Sequence, residues 1–148
     1  MPERDYPPEM LRGVKREEWA RDSPPYLSAF FFDDDGHRGD GYRELSVVWY
    51  FNDDSLQSLK SIMYDRKPVF KGGVAVVRRD KIDEISKKHG FPVKYEFRPS
   101  SRMPDHGNIL IKGKNSIMER RAAAYIARSA VYYSLDSEIP CSNDCITS

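Results

Sequence analysis

The chain has very little cysteine: only Cys141 and Cys145 are present, and both lie close to its end. This arrangement excludes a disulfide framework. Long apolar runs are also missing, and the charged, proline-rich start "MPERDYPPEM" lacks the apolar stretch of a secretory signal. We therefore expect a cytoplasmic protein without a membrane partner.

The sequence also lacks an excess of charge of either sign. Its 148 residues contain 24 Lys and Arg against 23 Asp and Glu, for a net charge of +1. Nucleic-acid-binding domains usually carry a clear basic excess, so a nucleic-acid partner is not expected. The length suits a single domain, and another protein is the partner that we expect.

No complete motif for phosphate or metal binding is present. The pair Gly72 and Gly73 precedes a strand candidate rather than a helix, so it does not build a phosphate-cradling loop. The loop of residues 33–44 has the acidic ends of a calcium loop. However, His37 and Arg38 stand where that loop needs an oxygen ligand and a glycine. We expect no metal and no cofactor.

Composition and periodicity divide the chain into an N-terminal arm (1–25), one domain (26–135) and a flexible tail (136–148). Proline pairs on both sides limit a helix candidate at residues 9–21 within the arm. Five segments are typical of strands: residues 26–32, 44–51, 72–78, 91–99 and 107–113. The first two are expected to form a hairpin with a long loop.

Three segments have the apolar spacing of helices, namely residues 52–67, 79–90 and 115–135. Asp80 is the expected N-cap of the second helix and Gly90 its end. The third is rich in alanine and is expected to pack on the sheet. The sequence thus predicts an α+β domain with a mainly antiparallel sheet of about five strands and two to three helices.

His106 is the candidate catalytic residue, because it follows Asp105 in a turn that enters a strand. A carboxylate beside a histidine can orient it as a general base. Arg98 and Arg102 lie on the same stretch and are candidates for binding an anionic ligand. The alternative is a solvated turn histidine, since "PDHG" consists of common turn formers.

Arg12, Ser46 and Trp49 complete the ligand-binding candidates. An arginine before the first strand can clamp an anion. Ser46 lies in an apolar strand candidate without a G-x-S-x-G elbow, which favours a buried serine satisfied by backbone groups over a ligand contact or a nucleophile. If Arg12, Ser46 and His106 meet in one cleft, a ligand-binding or enzymatic function is favoured. Their dispersal would favour a protein-binding function.

The final residues "CITS" formally match a lipidation box with Cys145 as acceptor. Thr147 and the acidic segment before the box weaken this interpretation, and a frayed tail is the alternative.

The order of "LRGV", "LSAFFF", "ELSVVWYF", "GVAVVR" and "RPSSRMPDHGNILIKG" resembles that of small bacterial proteins, some of them from conflict or mobile-element neighbourhoods. The resemblance implies a bacterial source and makes lipidation less expected, but it adds no mechanism. Our first hypothesis is therefore an accessory protein that binds another protein, in an antitoxin, immunity or defence system.

The second hypothesis is an enzyme or binder of a nucleotide-like or NAD-like ligand that uses Arg12, Ser46 and His106. An early arginine and a mid-chain serine strand resemble the split sheet of ADP-ribosyltransferases. That resemblance implies a late catalytic glutamate, for which Glu96 and Glu119 are the candidates.

Overall fold

The computed structural model describes residues 5–32, 41–65, 70–112 and 116–141. A single sheet of six strands forms the centre of this part of the chain. The strands are β1 (Glu9–Gly13), β2 (Arg43–Trp49), β3 (Val74–Arg78), β4 (Val93–Phe97), β5 (His106–Ile111) and β6 (Val131–Tyr133). Their order is β4-β5-β2-β1-β3-β6, and every neighbouring pair is antiparallel. The predicted α+β class with a mainly antiparallel sheet is confirmed.

Helices cover both faces of this sheet. Helix α1 (Asp53–Asp65) packs on one face through Leu56, Leu59 and Met63, against apolar residues of β1, β2 and β3. The opposite face carries α2 (Arg79–His89), α3 (Ser116–Ser129) and a 3-10 helix (Leu27–Phe30). Alanines of α3 are buried there, so the predicted packing of the alanine-rich helix on the sheet is confirmed.

The helix predicted over residues 9–21 is wrong, because its first part is the central strand β1. Met10 and Leu11 are both fully buried, one on each face of the sheet. A strand covered on both faces shows no alternation of apolar and polar residues, so its periodicity does not identify it. A second 3-10 helix (Glu17–Arg21) forms the rest of the segment.

The strand and hairpin predicted from residues 26–32 are also wrong. These residues include the 3-10 helix Leu27–Phe30, whose buried apolar residues belong to the core. The backbone N–H of Ser28 donates a hydrogen bond to Oδ2 of Asp22 at 2.8 Å, which fixes a turn rather than an extended chain. Strand β2 pairs instead with β1 and β5.

Two helix ends differ from their predictions. Helix α3 ends at Ser129, and the following residues form β6 on the edge of β3. Val131 and its two tyrosine neighbours have side chains that favour strands, and an unpaired sheet edge was available to them. Arg78, not Asp80, occupies the N-cap of α2, whereas Gly90 ends this helix at φ 72°, as predicted.

The boundaries drawn for the arm, the domain and the tail stay predictions. Within the described residues, Ile139 is buried on the α1 side of the sheet, and its carbonyl accepts a hydrogen bond from the Tyr50 hydroxyl. The calcium-like part of the loop (33–40) and the "CITS" box lie outside the described residues.

Candidate functional site

A cleft of about 330 Å³ lies where β1 and β2 part from each other. Its walls come from β1 and the chain after it, from β2, from α1 and from the start of β5. The lining residues are Leu11, Arg12, Gly13, Lys15, Trp19, Ser46, Val47, Val48, Leu59, Phe70, Met103 and His106. The cleft therefore brings together Arg12, Ser46 and His106, three of the residues that the sequence singled out.

The cleft exists because β1 and β2 pair over a very short length. Their register is Met10 with Trp49 and Leu11 with Val48, whereas β1 continues to pair with β3 as far as Gly13. After the last β1–β2 pair, Leu11 with Val48, the Arg12 side chain lies between the two strands. Its guanidinium donates from Nε to the carbonyl of Ala29 and from Nη1 to the carbonyl of Ser46 at 2.7 Å.

These bonds change the role expected for Arg12. A guanidinium has five N–H donors in a fixed plane, and two of them are committed to backbone carbonyls. Arg12 thus has a structural role, because its guanidinium is fixed in the lining of the cleft, where it adds positive charge. It is not the mobile anion clamp that the sequence suggested. The predicted anion-binding role needs a second cation.

Lys15 supplies that cation. It is exposed, it lines the cleft, and within the described residues its side chain makes no hydrogen bond or ion pair. In the sequence, Lys15 does not stand out from its neighbour Arg16, which has the same charge. Only the contacts separate them, since Arg16 pairs with Glu18 at 3.6 Å and does not line the cleft.

Charge in the cleft is of one sign. Arg12 and Lys15 are both cationic, and among the described residues none that lines the cleft carries a carboxylate. A partly enclosed site with one sign of charge focuses the electric field and concentrates ligands of the opposite sign. The electrostatics of the cleft therefore favour an anion.

His106 lies on the wall formed by β5, where it is half-buried. Its Nδ1 is 2.9 Å from the carbonyl oxygen of Arg98. Because a carbonyl oxygen only accepts, Nδ1 carries the hydrogen, and in the neutral ring Nε2 is left as an acceptor. This hydrogen bond fixes both the tautomer and the orientation of the ring.

Asp105 does not supply the carboxylate that could have oriented His106. The Asp105 carboxylate is buried, and its Oδ2 accepts a hydrogen bond of 2.6 Å from the Ser55 hydroxyl at the start of α1. The backbone carbonyl of Asp105 also accepts from the N–H of Trp49 at 2.8 Å. Asp105 therefore anchors the loop before β5 to α1 and β2.

The remaining predicted site residues lie elsewhere. Trp49 is buried in the core on the opposite face of the sheet, and its Nε1 donates to the carbonyl of Glu96 at 3.1 Å. Arg98 reaches Glu44 at 3.5 Å, and Arg102 forms an ion pair with Asp65. None of these three side chains lines the cleft, although the backbone of Arg98 orients His106.

The two glutamates that an ADP-ribosyltransferase arrangement would need are also outside the cleft. Glu96 accepts a hydrogen bond from Asn108 at 2.6 Å, and Glu119 pairs with Arg43 at 2.7 Å. Neither residue lines the cleft, so the resemblance to that family is not supported at its catalytic position.

The floor of the cleft is apolar. Side chains from β1, β2, α1 and the loops form it, namely Leu11, Val48, Leu59, Phe70 and Met103. Small-molecule sites commonly combine such a floor with a few fixed polar groups, and volumes begin at roughly 300 Å³. The arrangement can hold a small molecule that has an anionic group and an apolar part.

Comparisons with known proteins do not assign the chain to a family: no protein-family model, curated protein or solved structure matches it. In the described part of the chain, no group of three histidine, cysteine or acidic side chains could hold a metal ion. No helix described there is long and apolar enough to cross a bilayer.

Proposed function

We propose that the chain binds a small nucleotide-like ligand in the cleft between β1 and β2. The observation that carries this proposal is the convergence of Arg12, Ser46 and His106 on one cleft together with Lys15. Lys15 faces the anionic group of the ligand, the apolar floor accommodates its base-like part, and His106 accepts a hydrogen bond through Nε2.

Binding is a better supported activity than catalysis. His106 has the fixed tautomer of a general base, but the lining residues that the structure describes include no carboxylic acid, cysteine or tyrosine as a partner for acid-base or nucleophilic chemistry. The cleft therefore has the groups that recognise a ligand and lacks a complete set of groups that transform one.

Isothermal titration calorimetry with adenosine 5′-monophosphate tests the proposal. Replacing Lys15 by Met removes the unpaired cation and should weaken binding about 10-fold, because a hydrogen bond to a charged group contributes about 1.5 kcal/mol. Lys87→Met is the matched control, since Lys87 is an exposed lysine of α2 on the opposite face of the sheet. Failure of the wild-type chain to bind the nucleotide would overturn the proposal, as would equal weakening by both variants.

A protein-binding function has separate support. Phe31 and Ile117 are 41% and 66% exposed, and they line the same groove beside α3 with Arg120. The Arg120 guanidinium lies 5.6 Å from the centre of the Phe31 ring. Exposed apolar residues with a charged rim are typical of contact surfaces, so an accessory role through this patch is our second candidate.

A pull-down from a cell extract tests the second candidate. A protein that the wild-type chain enriches should be lost with Ile117→Asp. Val131→Asp is the control, because Val131 is 51% exposed and lies beyond the other end of α3. Equal recovery with both variants would count against a contact surface at Ile117.

A further inference from the structure

A buried polar atom lies directly beside the cleft. Asn108 of β5 is 1% exposed, and its Nδ2 donates to Oε2 of Glu96 at 2.6 Å. The other side-chain atom, Oδ1, is buried and has no hydrogen-bond partner in the part of the chain that the structure describes. Leaving a buried acceptor unsatisfied is costly, and native structures contain few such atoms.

Ser46 is the residue on β2 directly opposite Asn108. The N–H of Trp49 donates to the carbonyl of Asp105, so these two residues form a hydrogen-bonded pair at the end of the β2–β5 ladder. Hydrogen-bonded and non-hydrogen-bonded pairs alternate along an antiparallel ladder, and Ser46 with Asn108, three positions further, is therefore a non-hydrogen-bonded pair. Pairs of this kind bring side chains closest, with Cα atoms about 4.5 Å apart. The side chains of Ser46 and Asn108 project from the same face of the sheet, as does that of His106.

The Ser46 hydroxyl can satisfy the buried oxygen. It is exposed on the cleft, and within the described residues it makes no hydrogen bond. The Oδ1 atom is closed to solvent, so a bound ligand does not reach it directly. A hydroxyl has one hydrogen and two lone pairs, and donating the hydrogen leaves only acceptor capacity.

From this cross-strand geometry we infer that the Ser46 side chain rotates about its Cα–Cβ bond, so that its hydroxyl donates to Oδ1 of Asn108 and presents its lone pairs to the cleft. Nε2 of His106 is a second acceptor on the same wall. A ligand that satisfies both acceptors must carry hydrogen-bond donors. On the proposed function, the ligand therefore belongs to the class of anions that also carry hydroxyl groups, as a ribose phosphate does, rather than to anions in general.

Two nucleotides that differ only in the sugar test this inference. Adenosine 5′-monophosphate and its 2′,3′-dideoxy counterpart share the phosphate and the base, and calorimetry measures both. We expect the wild-type chain to bind the dideoxy compound about 10-fold more weakly, because two hydrogen bonds are lost. Ser46→Ala should reduce this ratio to about 3-fold, since only the bond to His106 remains. Ser46→Thr keeps the hydroxyl and should restore the ratio.

Ser101→Ala is the matched control, because Ser101 is an exposed serine that does not line the cleft. Equal binding of the two nucleotides to the wild-type chain would overturn the inference and leave the proposed function standing. An unchanged ratio of about 10-fold in Ser46→Ala would also overturn it. Binding of neither nucleotide would instead overturn the proposed function.

Discussion

Gly107 lies between the candidate histidine and the buried Asn108, and its replacement is our most specific stability prediction. A Cβ at this position would lie 2.2 Å from the carbonyl oxygen of Glu96 and 2.2 Å from Nε1 of Trp49, where ordinary contacts begin at 3.4 Å. Neither neighbour can move freely, because one is strand backbone and the other is a fully buried indole. Gly107→Ala must therefore push β4 away from β5.

The loss of folding stability expected for Gly107→Ala has two parts. Overpacking of a dense core costs about 2 kcal/mol, and loss of the hydrogen bond from Trp49 to Glu96 adds about 1 kcal/mol. The free energy of unfolding should thus fall by about 3 kcal/mol. With a urea m-value of roughly 2 kcal/mol/M, the midpoint of unfolding should fall by about 1.5 M.

Gly90→Ala is the matched control. Gly90 has a φ of 72°, and a Cβ added there would meet no atom within 4 Å, so its replacement has only a conformational cost. That cost is about 1 kcal/mol for a residue in the left-handed region. If Gly107→Ala destabilises the chain no more than Gly90→Ala does, the close approach of β4, β5 and Trp49 is refuted.

Three further variants test contacts that hold the sheet and the cleft together, by urea unfolding. Arg12→Met should lower the free energy of unfolding by about 2 kcal/mol, because two backbone carbonyls lose a charged donor; an effect on ligand affinity alone would contradict its structural role. Ser55→Ala should cost about 2 kcal/mol by removing the donor to buried Asp105, whereas Ser58→Ala, one turn later, should cost less than half as much. Burial raises the pKa of Tyr50 to about 12 from 10.0, so this residue ionises in the unfolded chain first, and stability should fall between these two pH values. Tyr50→Phe should remove that part of the alkaline loss; an unchanged pH profile would argue against burial of the phenol.

The sequence predicted strands β2, β3, β4 and β5 but missed β1 at the centre of the sheet and β6 at its edge. Strands β4 and β5 were identified from alternation and from a short apolar run, and α1 from its helical spacing. β1 was missed because residues buried on both faces leave no alternation to detect. The segment at Leu27–Phe30 was misassigned because a compact 3-10 turn and a strand can have the same apolar composition.

The residues of the candidate site could likewise be predicted from the sequence only in part. His106, Arg12 and Ser46 could be selected because each residue type has a known chemistry, and the structure places all three on one cleft. Lys15 could not be selected, since its differences from Arg16, namely the ion pair of Arg16 with Glu18 and the place of Lys15 in the cleft lining, arise only in the folded chain. The partner of His106 could not be predicted either, because a backbone carbonyl leaves no trace in the sequence.

The most direct test of the central claim is an NMR titration of the histidine ring resonances with adenosine 5′-monophosphate. His106 lines the cleft, whereas His89 stacks on Tyr125 on the opposite face of the sheet, with ring centres 4.4 Å apart. We predict a saturable shift of the His106 resonances with those of His89 unchanged, and a midpoint about 10-fold higher in nucleotide concentration for Lys15→Met. Unmoved His106 resonances at saturating nucleotide, or equal shifts at His89, would contradict binding in this cleft.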